Sequence, residues 1–278
     1  MKNKIEIQET AFVTSAFRSS DEELSKDIYA KLWKNSKTDV WIKNYLATVS
    51  KDEAFTHCLR NRYFYEEIKK LSQNDEIEVL INFGCGFSMY PFLLSENIIN
   101  IEIDKPEIIN FKKEKIAKWQ ETNELPKREI HYISTDFSLE NEKFILSEIN
   151  SIKKEKKSFI LIEGVLFFLS KNDTNRMFEL FRKIQNKGEF IGSVSFEDSL
   201  QKTAVFKRLM NFNNKKVVVN KKADNYTTNG NFYNHLRDYK LMDHQDYFRL
   251  SEKYTPQSPL KNRDEILNEN MYLLKKIN

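Results

Sequence analysis

The pattern of apolar and polar positions changes near residue 79, where short apolar runs begin to alternate with segments of helical periodicity. The apolar runs have the length of strands and cover residues 79–83, 98–103, 129–134, 158–162 and 190–196. Helical patterns separate these runs, at residues 89–94, 106–122, 139–152 and 172–185. The alternation predicts an α/β fold in which parallel strands form one sheet and helices cover both of its faces.

Less regular patterns flank this core. Helices are predicted over residues 200–212 and 232–239, and strands over residues 216–220 and within residues 247–253. Residues 8–72 have a helical pattern throughout, which is more helix than the sheet needs. Because ligands of such sheets bind at the C-terminal ends of the strands, we predict a helical cap and substrate lid there. The predicted organisation is a cap at residues 1–75 and a core at residues 76–278, within one compact domain.

A glycine turn directly follows the first predicted strand. Gly84 and Gly86 are two of only six glycines in 278 residues, and Asp104 closes the next predicted strand. Glycine lets the backbone approach a ligand without a Cβ, and an acid in this place accepts hydrogen bonds from two ribose hydroxyls. The sequence therefore predicts a nucleoside-binding site.

Further residues narrow the choice of nucleoside. Met89 stands where the dinucleotide fingerprint has its third glycine, which argues against NAD and FAD, and no Gly-Lys-Ser/Thr follows the turn. Asp136 and Glu163 also follow the ends of successive predicted strands. A single acid in such a place often only caps the next helix, but three in succession favour a ligand site. A nucleoside cofactor without phosphate, S-adenosylmethionine, fits this pattern.

Four segments resemble the successive motifs of a known family, at residues 82–87, 101–107, 134–136 and 162–169. Their sequences are similar to those of the leucine carboxyl methyltransferases and of the bacterial tetracenomycin-type polyketide O-methyltransferases. The N-terminal helices of that family also have counterparts here, at residues 10–11, Arg18, 27–30 and 60–64. The resemblance covers residues 10–196 and implies a Rossmann-like class I methyltransferase sheet that binds S-adenosylmethionine.

The resemblance also implies which residues hold the cofactor. The implied contacts are to the methionine part for Gly84, to the ribose for Asp104, to adenine for Asp136 and Phe137, to the amino-acid part for Glu163, and to the cofactor carboxylate for Arg60. Gly86 is also implied as a cofactor-binding residue. Arg62 is an alternative partner for that carboxylate. No metal site is predicted.

Composition and charge exclude several other classes. The net charge is +4, from 45 basic and 41 acidic residues in mixed-sign runs, whereas a nucleic-acid binder more often has a single-sign patch. No run of 18 apolar residues occurs, and the N-terminus lacks the apolar segment of a secretory signal. Two cysteines are too few for a disulfide scaffold or a zinc cluster. We therefore expect a cytoplasmic protein with a small-molecule partner and neither a membrane nor a nucleic-acid partner.

The predicted reaction is O-methylation of a carboxylate or a hydroxyl on a small organic acid or polyketide-like acceptor. An ionised carboxylate needs no base, whereas a hydroxyl does. His57 lies on the predicted cap and is a candidate to face the site, although a histidine at the edge of the core has the same pattern. No catalytic residue and no oligomeric state are predicted.

Two positions differ from the pattern of the family and motivate an alternative hypothesis. Ser88 stands where an acid is usual after the second glycine, and Tyr65 stands where an aspartate is usual after residues 60–64. The alternative is a catalytically degenerate methyltransferase fold that acts as a binding or scaffold protein. Methylation of a protein C-terminal carboxylate and methylation of RNA are weaker alternatives, the latter suggested only by a pI of about 8.7.

Overall fold

Nine strands are present in the computed structural model, which describes residues 5–6, 10–218 and 226–278. They are β1 Ile5–Glu6, β2 Val79–Phe83, β3 Ile99–Asp104, β4 His131–Ser134, β5 Ser158–Ile162, β6 Phe190–Phe196, β7 Val217–Val218, β8 Tyr239–Asp246 and β9 Glu269–Lys276. Seven of them form one sheet in the order β4-β3-β2-β5-β6-β9-β8, and β1 pairs with β7 in a separate two-stranded sheet. Strands β2 to β6 are parallel, and β9 is antiparallel to both β6 and β8.

Ten α-helices connect and cover these strands within the described residues. They are α1 Thr10–Arg18, α2 Glu22–Ser25, α3 Ser36–Thr48, α4 Glu53–Gln73, α5 Tyr90–Leu93, α6 Pro106–Glu121, α7 Glu142–Lys153, α8 Lys171–Ile184, α9 Ala204–Lys216 and α10 Tyr247–Tyr254. Pro106 starts α6, where its missing N–H removes no intrahelical hydrogen bond. None of the helices in the described ranges combines the length and the apolar character needed to cross a membrane.

Alternate residues of the central strands pack against helices on opposite faces of the sheet. Leu80 and Leu161 belong to the core layer beneath α4 and α10. Ile81 and Ile160 belong to the layer beneath α7 and α8. A parallel strand that is covered on both faces reads as a continuous apolar run, which is why the sequence pattern predicts these strands well. The predicted α/β fold with helices on both faces is confirmed.

Several of the sequence predictions for the C-terminal part of the chain were wrong. The strand predicted within residues 247–253 is helix α10, because the Asp246 side chain caps its first turn by accepting a hydrogen bond from the Arg249 N–H. Of the helix predicted over residues 232–239, only a short 3-10 turn at Tyr233–His235 is present. Strands β8 and β9 were not predicted, since β8 is a polar edge strand and β9 is stabilised by pairing with β6.

Two other C-terminal predictions are nearer the structure. The helix predicted over residues 200–212 is α9, which begins at Ala204 after a 3-10 turn at Asp198–Lys202. Of the strand predicted over residues 216–220, Val217–Val218 form β7, and residues 219–220 lie outside the described residues.

Helix α4 links the N-terminal helices to the sheet. Its later residues, among them Leu59, Phe64 and Ile68, are buried against one face of the sheet. Its earlier residues Glu53, His57 and Arg60 are spaced by four and three positions, so they share one face of the helix. Through Arg60 this face reaches the C-terminal edge of the parallel strands, where the predicted site lies.

Candidate functional site

The glycine turn after β2 holds the carboxylate of Asp104. The Gly86 N–H donates to Oδ2 at 2.8 Å, and the Lys105 N–H donates to Oδ1 at 2.8 Å. Burial raises the pKa of Asp104, whereas the hydrogen bonds from Gly86 and Lys105 act in the opposite direction. Each carboxylate oxygen has a further lone pair, so the group can still accept hydrogen bonds from a diol.

Gly84 lies directly beneath the segment that follows β5. Its φ is +72°, and a Cβ placed on it would overlap the methyl carbon Cγ2 of Val165. Both the backbone conformation and the close approach therefore require glycine. The glycine turn and the loop after β5 are thus packed against each other at the edge of the sheet.

Asp136 and Phe137 lie just beyond β4. Oδ1 of Asp136 accepts hydrogen bonds from the Ser138 N–H at 3.0 Å and from Asn141 Nδ2 at 2.7 Å. Hydrogen bonds from Ser138 and then Asn141 lower the pKa of this exposed carboxyl. The Phe137 ring packs on Phe83 with 5.7 Å between ring centroids. Asp136 therefore organises the turn that leads to α7, and its contact with adenine stays a prediction.

Arg60 is the centre of a buried ionic cluster at the same edge. Its Nε donates to Glu163 Oε1 at 2.7 Å, and its Nη1 donates to Glu269 Oε2. Tyr90 donates to the other oxygen of Glu163 at 3.2 Å, and Tyr247 donates to Glu269. Burial opposes the charge of Arg60, but Glu269 and Glu163 raise its pKa well above the ordinary value. The guanidinium is therefore held rigidly by two carboxylates.

One nitrogen of Arg60, Nη2, takes no part in these two ion pairs. Nη2 makes no hydrogen bond to any residue that the structure describes. It faces Gly164, where an added Cβ would lie 4.0 Å away. Because Gly164 has no side chain, a small anion can approach Nη2 beside the end of β5.

Sequence reasoning missed Glu269. It is the first residue of β9 and lies opposite Phe196, the last residue of β6. Since β9 is antiparallel to β6, its N-terminal end meets the C-terminal ends of the parallel strands. The only signal that could have revealed Glu269 is the prediction of β9 itself, which the local pattern does not give.

Glu53 adds a second unforeseen acid, one turn of α4 before His57. Its Oε1 accepts a hydrogen bond from the Tyr45 hydroxyl at 3.4 Å, whereas its buried Oε2 has no partner among the described residues. Burial, and after it the charge of Glu269, raises the pKa of Glu53 to about 8. Glu53 therefore holds a proton at neutral pH.

This shift predicts that the protein becomes less stable as the pH rises from about 4.5 toward 8. In that range the folded state binds the Glu53 proton and the unfolded state has lost it, so folding requires proton uptake. Glu53→Gln removes this requirement. We expect the variant to exceed the wild type by more than about 1 kcal/mol in free energy of unfolding at pH 8, with little difference at pH 5. Urea unfolding at both pH values measures it, and equal differences at pH 5 and pH 8 would contradict it.

The two positions that differ from the family pattern have ordinary partners. Ser88 Oγ accepts a hydrogen bond from Asn82 Nδ2 at 2.9 Å, and its carbonyl accepts one from the buried Lys112 at 2.8 Å. Lys112 also forms an ion pair with Glu102 at 2.7 Å. The hydroxyl of Tyr65 accepts a hydrogen bond from Lys69 at 3.5 Å. Ser88 thus anchors the glycine turn to the sheet without a carboxylate.

Neither Arg18 nor Arg62 is available as a free cation at the site. Arg18 donates to Asp27 at 2.8 Å and to the carbonyl of Phe87 at 2.9 Å. Arg62 pairs with Glu66 on the same helix. The alternative in which Arg62 replaces Arg60 as the partner of the cofactor carboxylate receives no support from this geometry.

Comparison with known proteins agrees with this architecture. The family model of the leucine carboxyl methyltransferases matches residues 11–182. A candidate methyltransferase from Thermobifida fusca is similar in fold, with a TM-score of 0.69 and 10% identity over 99% of this chain and 96% of that one. A DUF574 family protein from Streptomyces avermitilis has a TM-score of 0.62 and 10% identity over 96% and 97% of the two chains. No curated protein sequence matches this chain.

The matched segment contains the glycine turn, Asp104, Arg60 and Glu163, and it spans more than half of the 278 residues. The sheet, its helices on both faces and the seven-stranded order are those of the class I methyltransferases. The chain therefore belongs to the leucine carboxyl methyltransferase family, whose members take their methyl group from S-adenosylmethionine.

Proposed function

We propose that this enzyme transfers the methyl group to an oxygen, a hydroxyl or a carboxylate, of a small polyketide-like or organic-acid acceptor. The observation that supports the site most strongly is the Arg60 cluster. Two glutamates fix the guanidinium and leave Nη2 directed at the open backbone of Gly164. A donor held in this way is organised to receive the carboxylate of the cofactor.

The other predicted residues fit the remaining parts of S-adenosylmethionine. In this proposal Asp104 accepts hydrogen bonds from the ribose, Asp136 and Phe137 hold adenine, and the backbone at Gly84 and Gly86 lies along the methionine part. Val165 packs directly on Gly84, so the glycine turn is held against the loop after β5 with no room for a side chain at position 84. Glu163 orients Arg60 and lies beside the amino-acid part of the cofactor.

The cofactor supplies a methyl group on a positively charged sulfur, which an acceptor oxygen attacks in line. The contribution of the protein is to hold the acceptor oxygen and the methyl carbon about 3 Å apart in that geometry. We propose that residues 1–75 act as the cap and lid that does so. Helix α1 supports this role, because Arg18 binds the carbonyl of Phe87 in the glycine turn.

We also propose that the enzyme is located in the cytoplasm. Cys58 and Cys85 are both buried free thiols. Burial raises the pKa of Cys58 to about 11, so this thiol is unreactive at neutral pH. Free thiols are typical of proteins in a reducing compartment, and they support the predicted cytoplasmic location.

Asp104→Ala tests the cofactor site. The variant removes the acceptor for the ribose hydroxyls and leaves the Gly86 N–H without its partner. We expect the dissociation constant for S-adenosylmethionine, measured by isothermal titration calorimetry, to rise about 10- to 100-fold. Glu78→Ala is the matched control, since Glu78 is an exposed acid just before β2 at the opposite end of that strand.

The control is expected to bind like the wild type. Wild-type protein that fails to bind S-adenosylmethionine at about 1 mM, or an Asp104→Ala variant with unaltered affinity, would contradict the proposed site.

A catalytically silent methyltransferase fold is the second candidate. The observation in its favour is that Glu163 and Glu269 already occupy two donor atoms of Arg60 and compete there with an anionic ligand. Formation of S-adenosylhomocysteine in the presence of a panel of hydroxyl and carboxylic acid acceptors distinguishes the two. Binding of S-adenosylmethionine without turnover on any acceptor, together with a stable protein partner in pull-down, would favour the silent fold.

A further inference from the structure

Arg176 of α8 binds the turn that follows β4. Its Nη2 donates to the backbone carbonyl oxygen of Phe137 at 2.5 Å and to Asp173 Oδ1 at 3.1 Å. Its Nη1 donates at 2.8 Å to Oε1 of Glu142, the first residue of α7. The donors of a planar guanidinium have a fixed relation to one another, so this side chain sets the position of the turn and of α7 relative to α8.

The part of α8 that carries Arg176 is itself well anchored. Ser170 caps the helix, since its Oγ accepts a hydrogen bond from the Asp173 N–H at 3.0 Å and donates one to Asp173 Oδ2 at 2.7 Å. The other oxygen of Asp173 binds Arg176. The two residues after Arg176, Met177 and Phe178, are buried in the core layer beneath the helix. The guanidinium therefore extends from a fixed support.

The sheet supports the turn after β4 from one side. Strand β4 lies at the edge of the described sheet, next to β3. The Thr135 N–H donates at 2.9 Å to the carbonyl oxygen of the last residue of β3, which ties the beginning of the turn to that strand. Beyond this point Asp136 is exposed, Phe137 is half-buried and Leu139 is 69% exposed. Arg176 supplies the support on the side that has no strand.

The residues of this turn are those proposed to hold adenine. The hydrogen bonds from the Ser138 N–H and from Asn141 both go to Oδ1 of Asp136, so Oδ2 can accept one from the amino group of the base. The Phe137 ring packs on the last residue of β2. Because Arg176 holds the backbone between these groups and α7, a shift of the turn would move the carboxylate and the ring together.

We propose that Arg176 is a positioning residue that aligns the turn after β4 with adenine and thereby sets the preference of the site for that base. This inference rests on the proposed function. Arg176 acts through the backbone of Phe137 and the start of α7. A hydrogen bond weakens steeply when its angle departs from the favoured range, whereas apolar contact with a ring tolerates small shifts. A displaced turn therefore loses recognition of the amino group before it loses general affinity.

Two ligands that differ at one position of the base measure this preference. S-Adenosylhomocysteine has an amino group on the purine, and S-inosylhomocysteine has a carbonyl oxygen in its place. The Asp136 carboxylate accepts a hydrogen bond from the amino group and is repelled by the carbonyl oxygen. In isothermal titration calorimetry we expect the wild type to bind S-adenosylhomocysteine about 10- to 100-fold more tightly.

Arg176→Met is expected to reduce this ratio of dissociation constants about 10-fold, because S-adenosylhomocysteine binds more weakly. A role in stability alone would weaken both ligands by the same factor and leave the ratio unchanged. Arg182→Met is the matched control. Arg182 lies on the same helix but pairs with Glu179 and Asp238 instead of the turn, so we expect wild-type affinity for both ligands.

Arg176→Lys tests the inference even if the methionine variant does not fold. The lysine keeps a positive charge beside Glu142 and Asp173. One ammonium replaces the two nitrogen atoms that reach Glu142 and Phe137, so we expect the ratio to be lowered in this variant as well.

The outcomes separate this inference from the proposed function. A wild-type ratio in either variant of Arg176, including one in which both affinities fall by the same factor, would overturn the inference and leave the cofactor site intact. Wild-type protein that binds neither ligand would contradict the cofactor site and the inference together. Wild-type protein that binds both ligands equally would contradict the adenine contact of Asp136, and the inference with it.

Discussion

Replacing Arg60 with methionine is expected to lower the free energy of unfolding by about 3–5 kcal/mol and to weaken binding of S-adenosylmethionine at least about 100-fold. The arginine side chain is 5% exposed, and its removal would leave Glu163 and Glu269, each with a side chain only 12% exposed, without a counter-charge. The penalty is the desolvation of two unpaired carboxylates rather than the loss of the attraction itself. Urea unfolding and isothermal titration calorimetry measure the two effects.

Arg62→Met is the matched control on the same helix. Its partner Glu66 is 31% exposed, so solvent screens the pair and can hydrate the carboxylate that remains. We expect a change of at most about 1 kcal/mol in stability and no change in affinity. If the two variants lose similar stability, the buried cluster is not the determinant that we describe.

Arg60→Lys separates folding from binding. A lysine keeps the charge near the two glutamates, but one ammonium cannot reproduce the planar set of donors that bridges Glu163 and Glu269 and leaves Nη2 free. We expect most of the stability to return and the affinity to stay low. Full recovery of affinity in this variant would show that charge alone, and not the fixed geometry of the guanidinium, holds the cofactor.

Replacing Gly84 with alanine is expected to destabilise the protein by about 3 kcal/mol, from a left-handed backbone conformation and from overlap with a neighbour. The φ of +72° disfavours any Cβ, and the added methyl would meet Cγ2 of Val165. Either the glycine turn or the loop after β5 must then move. We therefore expect the affinity for S-adenosylmethionine to fall together with the melting temperature.

Two further variants divide this effect into its causes. Gly188→Ala also introduces a Cβ at positive φ, +91°, but no atom lies within 4 Å of it, so only the conformational cost of about 1–2 kcal/mol applies. In the double variant Gly84→Ala/Val165→Ala the overlapping methyl is removed, and we expect part of the lost stability to return. The free energy of unfolding of the double variant is compared with the value expected if the two single changes simply add. If the double variant is no more stable than that value, the contact between positions 84 and 165 is not supported.

These predictions connect the cluster and the turn through one segment of the chain. Glu163 binds Arg60, Gly164 faces its free nitrogen, and Val165 packs on Gly84. The residues after β5 therefore touch both the carboxylate end and the glycine side of the predicted cofactor site. Because these three residues are consecutive, we expect a change in the Arg60 cluster to alter the glycine turn, and a change in the glycine turn to alter the cluster.

The central strands were predictable because their surroundings leave a strong local signal. Strands β2, β5 and β6 are buried on both faces, and their bounds agree with the predicted residues 79–83, 158–162 and 190–196. Parallel strands also bring their C-terminal ends to one edge. The positions of Asp104 and Glu163 at the ends of β3 and β5, on either side of β2, therefore followed from the fold class once the strands were identified.

The two antiparallel strands were not predictable in the same way. Strand β8 lies at the edge of the sheet and has a mostly polar sequence, and β9 is recognised through its pairing with β6 and β8. Strand propensity depends on cross-strand neighbours that are distant in sequence. In α10 the competing local signal was the cap formed by Asp246, which outweighed the aromatic residues that suggested a strand.

The sequence by itself determined the parallel sheet, the glycine turn, the acids at the strand ends and the class of cofactor, because each depends on residues near one another in the chain. Only the tertiary structure decided the partners of those groups. It brought Glu269 from the last strand into contact with Arg60 and into the range of Glu53, and it bound Arg18 to Asp27 and to the carbonyl of Phe87. The physical reason is that ion pairs form, and pKa values shift, between groups that are close in space. Local sequence patterns do not encode the proximity of residues that are distant in the chain.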